Sequence, residues 1–231
     1  MVKLIFLCRR RPDISHERYA TLLLDGHVPI ALRHHPAMRT YVVNIVEQSP
    51  HGEEALDSIG ELSFATLDDF RERLYDSEEG RKIVERDVSG FMGGAHAYAT
   101  TEHVQKMRPT PAPLGTRTTG IKLVCPVARR AGMSHADFVD HWLTRHVPLA
   151  LQHHPGLIQY VTNVVDAQLS PSGEPWDGFA ELHFGSEQAY VDGRFDSAAG
   201  ERAIREDMAH FIGRTAAYRV VEYVQKVPPR G

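Results

Sequence analysis

The sequence predicts an α+β fold: two βαββαβ units in one chain, each a small sheet with its helices on one face, closing on each other as a barrel. Three observations predict it. The chain is written twice, since residues 3–48 align with 122–167 and residues 57–106 with 177–226, and 35 of these 96 pairs are identical. A repeat of this kind decides the architecture before any single element does. Each copy alternates apolar, β-branched runs with segments of helical period in the same order. Between the copies, the Pro-rich and then polar stretch 108–120 cannot hold a helix and reads as a semi-rigid spacer. The expected organisation is therefore a first unit over 1–107, a linker over 108–120 and a second unit over 121–231.

The elements follow in order. Runs 3–9 and 121–127 are strands whose apolar residues are nearly continuous. Ser15 and Ser134 then stand as N-caps, with Asp137 completing a capping box in the second copy. The helices they open carry Tyr19, Leu22 and Leu23 in one copy and Phe138, Trp142 and Leu143 in the other. Pro29 and Pro148 are expected to break or restart these helices, which stop before Pro36 and Pro155. Strands 39–46 and 159–165 come next, then a polar loop, then strands 59–64 and 179–184. Thr66 and Asp69 form another capping box for a second helical region, broken near Asp76-Ser77 and reaching Phe91 or Phe211. Strands 98–106 and 218–226 close each unit. Two right-handed crossovers of this order build a ferredoxin-like sheet. Such a sheet is covered on one side only, so two copies can pair their open faces as a covalent pseudo-dimer. The pair can stop at a monomer or associate again through its outer surface.

Composition narrows the function. With 26 Lys and Arg against 30 Asp and Glu, the net charge of −4 offers no basic surplus for nucleic acid or anionic lipid. The first apolar run is too short to span a bilayer and its basic residues follow it, so no membrane segment or signal peptide is expected and the chain reads as cytoplasmic. Cys8 and Cys125 fall in predicted strands and suit reduced thiols. No nucleotide loop, zinc pattern or serine nucleophile elbow is present.

The 14 histidines are the unusual count. Eight of them are four positions met twice: His16/His135, His27/His146, His34/His153 and His35/His154. Adjacent His-His pairs diverge and the spacing that sets two imidazoles on one helical face is missing, so no metal site is expected. His16 and His135 read as solvent-facing, and the His-His-Pro pairs as neutral imidazoles at helix ends. His27 and His146 lie past the apolar stripe of the first helix, where an imidazole beside a cavity suits acid-base work; a core histidine bonded to backbone is the alternative. Tyr41 and Tyr160 on the second strand are either packing or hydroxyls offered to a ligand. Glu61 and Glu181 sit in mid-strand, either paired with basic residues of the first strand or free to act as bases. Asp87 and Asp207 read as holders of helix or loop ends. Tyr19, Phe138 and Trp142 are expected as pocket wall or core.

The second copy, with Lys122-Leu123-Val124, Arg129-Arg130, Ser134, Phe138, Trp142, His146-x-Pro148, Tyr160-x-x-Asn163, Asp177, Glu181-Leu182-x-Phe184 and Asp207-x-x-x-Phe211, resembles the EthD family of dimeric α+β barrel proteins. The first copy shares the frame but has Leu22 and Leu23 where the second has His141 and Trp142. The family includes accessory proteins of ether degradation and is similar to methylmuconolactone isomerases and polyketide-tailoring dehydratases or oxygenases. The resemblance implies a pocket between helices and sheet, without metal or organic cofactor, lined by His27 and Tyr41 or by His146 and Tyr160. The pocket cysteine of the isomerases falls at Leu62 and Leu182, which argues against identical chemistry. The expected partner is a small apolar or aromatic oxygenated metabolite. Either the protein is a cofactor-free isomerase, dehydratase or cyclase working through His146 or His27, with the second copy favoured, or it is a non-catalytic carrier or accessory protein. A haem-binding barrel is the third reading.

Overall fold

The computed structural model describes residues 1–50 and 55–228. Strand β1 (Val2–Arg10) leads to helix α1, which runs as α-helix His16–Thr21, π-helix Leu22–His27 and α-helix Val28–His34. Strands β2 (Thr40–Gln48) and β3 (Ser58–Phe64), helices α2 (Leu67–Arg73) and α3 (Glu78–Ser89), and strand β4 (Met92–Lys106) follow. The later part has β5 (Ile121–Arg129) and helix α4, in the segments His135–His141, Trp142–His146 (π) and Val147–His153. It continues with β6 (Leu157–Gln168), β7 (Gly178–Phe184), α5 (Glu187–Gly193), α6 (Ala198–Phe211), β8 (Ile212–Thr215) and β9 (Tyr218–Lys226).

The strands join antiparallel in the order β7-β6-β4-β1-β3-β2-β9-β5, and β5 pairs back onto β7 to close the ring. β8 and β9 share one edge of β5 and fill a single position, so the barrel has eight positions around it. Closure leaves no free edge. The joints between the two halves of the chain are β2 with β9 and β4 with β6.

Alternation along each strand separates two environments. Ile5, Leu7, Ile59, Tyr98, Val124, Phe179 and Val220 point into the barrel and pack there with Trp176. Leu4, Cys8, Tyr41, Val43 and Phe64 point outward against Tyr19, Leu23 and Phe91 under helices α1 and α3. The second half repeats this outer layer with Phe138, Trp142, Tyr160, Phe184 and Phe211. Each such side chain contributes about 1.5–3 kcal/mol by leaving water.

Three local features differ from expectation. Pro29 stands in the first turn of a restarted α-helical segment, as the sequence allows, but the chain does not break there: it loosens into a π-turn, with the Val28 N–H reaching the Leu23 carbonyl. Pro148 repeats the arrangement, with the Val147 N–H on the Trp142 carbonyl. Strand β4 starts six residues before the predicted 98, because Gly93 and Gly94 let it lie against β1; a Cβ at Gly93 would come within 2.4 Å of the Arg10 carbonyl oxygen. The stretch 108–120, expected only as a semi-rigid spacer, is pinned along β9. Gly115 and Thr118 donate backbone N–H groups to Val224 and Glu222, and Arg108 reaches Glu222 at 2.7 Å. The caps follow the sequence more closely: Ser15, Thr66 and Ser134 each accept an N–H from the first helical turn, and Thr66 and Asp69 form the full capping box.

Among the described residues no helix is long and apolar enough to cross a membrane. Cys8 and Cys125 are free thiols in β1 and β5.

Candidate functional site

A cavity of about 310 Å³ lies between the outer face of β1, β2 and β3 and the helices α1 to α3. Its wall is mainly apolar, with Phe6, Leu23, Leu62, Phe70 and Val84 among the lining residues; His27, His35, Tyr41, Cys8 and Ser58 supply the polar groups. That is the usual make-up of a small-molecule site, toward the small end of the common range of about 300–1,000 Å³. Among the described residues no Lys, Arg, Asp or Glu side chain lines it.

His27 is the last residue of the π-segment in α1, and its Nδ1 lies 2.8 Å from Asp87 Oδ2 on α3. A carboxylate accepts, so Nδ1–H donates and Nε2 carries the lone pair. Burial lowers the His27 pKa below its ordinary value, outweighing the hydrogen bond and charge of Asp87. The imidazole is therefore neutral at pH 7, with Nε2 available to take a proton. Tyr41 lines the same cavity from β2, and its hydroxyl has no hydrogen-bond partner among the described residues. Burial raises the Tyr41 pKa, helped by Cys8 and Asp87, so the phenol stays protonated and can donate. Burial likewise pushes the Cys8 thiol up to about 12, which makes it wall rather than nucleophile. Tyr19, expected at the pocket, is fully buried behind it and shares a 2.7 Å hydrogen bond with Ser58.

The second half repeats the dyad and alters its surroundings. His146 Nδ1 lies 2.8 Å from Asp207 Oδ2, and His141 Nε2 lies 2.8 Å from Oδ1 of the same carboxylate. The His146 pKa is lowered by burial against the pull of Asp207. Trp142 stands where the first half has Leu23; it is buried against Phe138 and donates its Nε1–H to the Tyr160 hydroxyl at 3.3 Å. The apolar cavity described above is lined by first-half residues, whereas the sequence favoured the second half; Trp142, read as pocket wall or core, is buried packing there.

Glu61 and Glu181, expected at a ligand pocket, are not on this face. They point into the barrel, where Lys3 Nζ lies 2.7 Å from Glu61, 2.8 Å from Glu102 and 2.6 Å from Glu181. Lys122 Nζ lies 2.8 Å from Glu61, 2.9 Å from Glu181 and 2.8 Å from Glu222. Burial disfavours the charged amine of Lys3, and the facing Glu181, Glu61 and Glu102 more than reverse this, so its pKa rises. Burial also works against ionised Glu222, yet Lys122 and Arg108 bring it down to about 2. These carboxylates are ion-pair partners, and Glu61, Glu181 and Glu222 line, with Lys3 and Arg108, a separate polar cavity of about 350 Å³. Asn44 and Asn163 lie on the same interior face and donate to Glu61 and Glu181.

The other repeated histidines are clamps between helices and loops. His34 and His153 bond Asp76 and Asp196, and His35 and His154 bond the backbone carbonyls of Leu74 and Arg194. His16 and His135 are not simply solvent-facing, because each also bonds a buried carboxylate, Asp57 or Asp177. Gly80 permits the His34 clamp, since a Cβ there would sit 2.0 Å from Asp76 Oδ1. Among the described residues no three His, Cys, Asp or Glu side chains converge as metal ligands.

Sequence reasoning missed Asp87 and Asp207 as partners of His27 and His146, reading them as holders of helix ends. The signal was present: both aspartates recur in the two copies, four residues before Phe91 and Phe211. Ser58 and Tyr75 at the cavity carried no such signal, since Gly178 and Phe195 stand at the matching positions.

Residues 130–215 match the family model of the EthD domain. This part of the chain is similar to an EthD domain. The EthD match covers α4 through β8, including His146, Tyr160 and Asp207. No curated protein matches the sequence. Among solved structures, the chain is similar to an anthrone oxidase-like protein, at 13% identity over 100% of this chain and 96% of that one, with a TM-score of 0.62. It is also similar to a provisionally assigned monooxygenase from Fusobacterium nucleatum, at 6% identity over 98% and 94%, with a TM-score of 0.62. A provisionally assigned chlorite dismutase, TA0507, matches at 12% identity over 95% and 94%, with a TM-score of 0.52. Identities this low establish a shared α+β barrel fold.

The haem reading can be tested on the lining residues. His27 has the right second partner for an axial ligand, a carboxylate on Nδ1. The cavity, however, holds no Lys or Arg among the described residues for two propionates, and about 310 Å³ is too little for a tetrapyrrole. The first-half cavity does not fit haem.

Proposed function

We propose that this protein is a cofactor-free enzyme of the lyase or isomerase type, acting by proton transfer on a neutral, apolar, cyclic or aromatic ketone or phenol. The observation that carries the reading is the Asp87–His27 pair, with its free Nε2, lining one apolar cavity with the unpartnered Tyr41 hydroxyl. Nε2 takes a proton from the carbon next to a carbonyl, and the Tyr41 hydroxyl donates to the oxygen on which charge develops. Enolisation of this kind opens isomerisation, dehydration and ring closure alike. The absence of charged side chains from the wall selects against carboxylate and phosphate substrates. A polycyclic ketone such as the one in the name of the anthrone oxidase-like structure suits such a wall. The units 1–107 and 121–231 serve as a covalent pseudo-dimer, each sheet covering the other, with the first unit holding the working pocket.

The test is deuterium uptake by 2-tetralone in D2O, followed by proton NMR. The wild-type protein is expected to speed exchange next to the carbonyl, with Tyr41→Phe slower and His27→Ala reduced by about 100-fold or more. Equal rates for wild type and His27→Ala would refute the acid-base assignment. Saturable binding with no acceleration would instead make the protein a carrier.

A further inference from the structure

We infer that the second half of the chain contains a complete but closed copy of the same site, plugged by the indole of Trp142, so that each chain binds one ligand molecule. This rests on the proposed reading of the first-half cavity.

The groups to which the proposed acid-base chemistry is assigned are duplicated. His146 is held by Asp207 through Nδ1 at 2.8 Å, as His27 is held by Asp87, and Tyr160 occupies the place of Tyr41 on the matching strand. What differs is a set of three neighbouring side chains that change together. In the first half Tyr19 donates to or accepts from Ser58 at 2.7 Å, and Leu23 lines the cavity beside them. In the second half the same positions are Phe138, Gly178 and Trp142. Loss of the phenol and of the serine side chain removes a hydrogen-bonded pair and clears room over β7. The indole fills that room: a Cβ at Gly178 would stand 2.3 Å from Trp142 Cζ3 and 2.8 Å from Cη2. Serine at 178 and tryptophan at 142 are therefore mutually exclusive.

The plug also sits against the hydroxyl that a ligand would have to reach. Trp142 Nε1–H donates to the Tyr160 hydroxyl at 3.3 Å, and the indole is only 1% exposed. An indole N–H is a donor only, so it can satisfy the phenol oxygen as a carbonyl ligand cannot. A bulky aromatic with its N–H engaged makes a stable closure rather than a swinging gate.

The experiment counts ligands. 2-Naphthol, which has the shape of the 2-tetralone enol, is titrated by equilibrium dialysis into the wild-type chain and into Trp142→Leu. A second variant, Phe138→Tyr with Trp142→Leu and Gly178→Ser, restores the first-half trio and guards against a collapsed single variant. The expected result is one equivalent bound by the wild type and two by the opened variants. One equivalent in every protein would overturn the inference while leaving the first-half site standing. If the wild type binds none, the first-half reading fails, and a crystal structure of the triple variant decides the plug separately: an open cavity lined by His146 and Tyr160 supports it, and a filled one overturns it.

Discussion

Lys3 Nζ lies 2.6 Å from Glu181 Oε1, so the first strand of the chain is held to the seventh through the middle of the barrel. Lys122 returns the contact to Glu61 at 2.8 Å. Both lysines sit among carboxylates from the two halves, and both are almost wholly shielded from water. Lys3→Met would leave Glu61 and Glu181 buried with one cation fewer between them. Loss of one partner from a buried pair costs about 3–5 kcal/mol. Urea unfolding should show a fall of that size; a change below about 1 kcal/mol would mean that the carboxylates take up protons instead.

The Asp87–His27 pair gives a kinetic prediction. Burial lowers the His27 pKa while the hydrogen bond and charge of Asp87 raise it. Asp87→Asn removes the raising part, so the base limb of the exchange rate against pH should move to lower pH. Its plateau should fall as well, because a weaker and less firmly oriented base takes the proton. Rates measured between pH 5 and 8 check this. A plateau that drops with no movement of the limb would leave Asp87 a merely structural support.

Stability should depend on pH through the same chemistry. Burial lowers the pKa of His27, His35, His146, His154 and His183. In the unfolded chain these groups take up protons near pH 6.5, while in the folded chain they refuse them until lower pH. The unfolded state then binds more protons, so stability is full above pH 6.5 and falls as pH drops below it. Urea midpoints at pH 7.5, 6.5 and 5.5 should decline in that order. A midpoint flat from pH 7.5 to 5.5 would contradict the burial of these imidazoles.

Haemin provides a negative test of site chemistry. Without basic residues at the cavity wall to receive propionates, the protein should leave the absorption spectrum of added haemin unchanged. A sharpened and shifted Soret band that disappears in His27→Ala would show that the cavity opens much further than its present volume.

Much of the fold was legible because the same pattern occurs twice. Strand 218–226 has its predicted limits, and the Ser15, Thr66 and Ser134 caps act as the sequence indicates. The early start of β4 was hidden by Gly93 and Gly94, whose lack of side chains reads as loop although backbone proximity is what requires glycine. The π-turns were hidden by Pro29 and Pro148, which look like helix ends when counted by α-helical spacing alone. At the cavity, His27 and Tyr41, singled out by residue type, place and family resemblance, both belong to the lining. Asp87 was not, because its distance from His27 in sequence is 60 residues and only the packing of α3 on α1 brings the carboxylate to Nδ1. The carboxylates of Glu61 and Glu181 could not be assigned to a face without the barrel, since a strand residue points inward or outward depending on which sheet surface meets its partner.

The stretch 108–120 joins the two halves in a single polypeptide. Two identical chains meeting about a twofold axis must carry every substitution in both subunits, so a tryptophan at the Leu23/Trp142 position would close both sites or neither. Joined in one chain, the halves can change independently. One can keep its chamber open while the other trades its own for solid packing, and the division of labour between them is inherited with a single polypeptide.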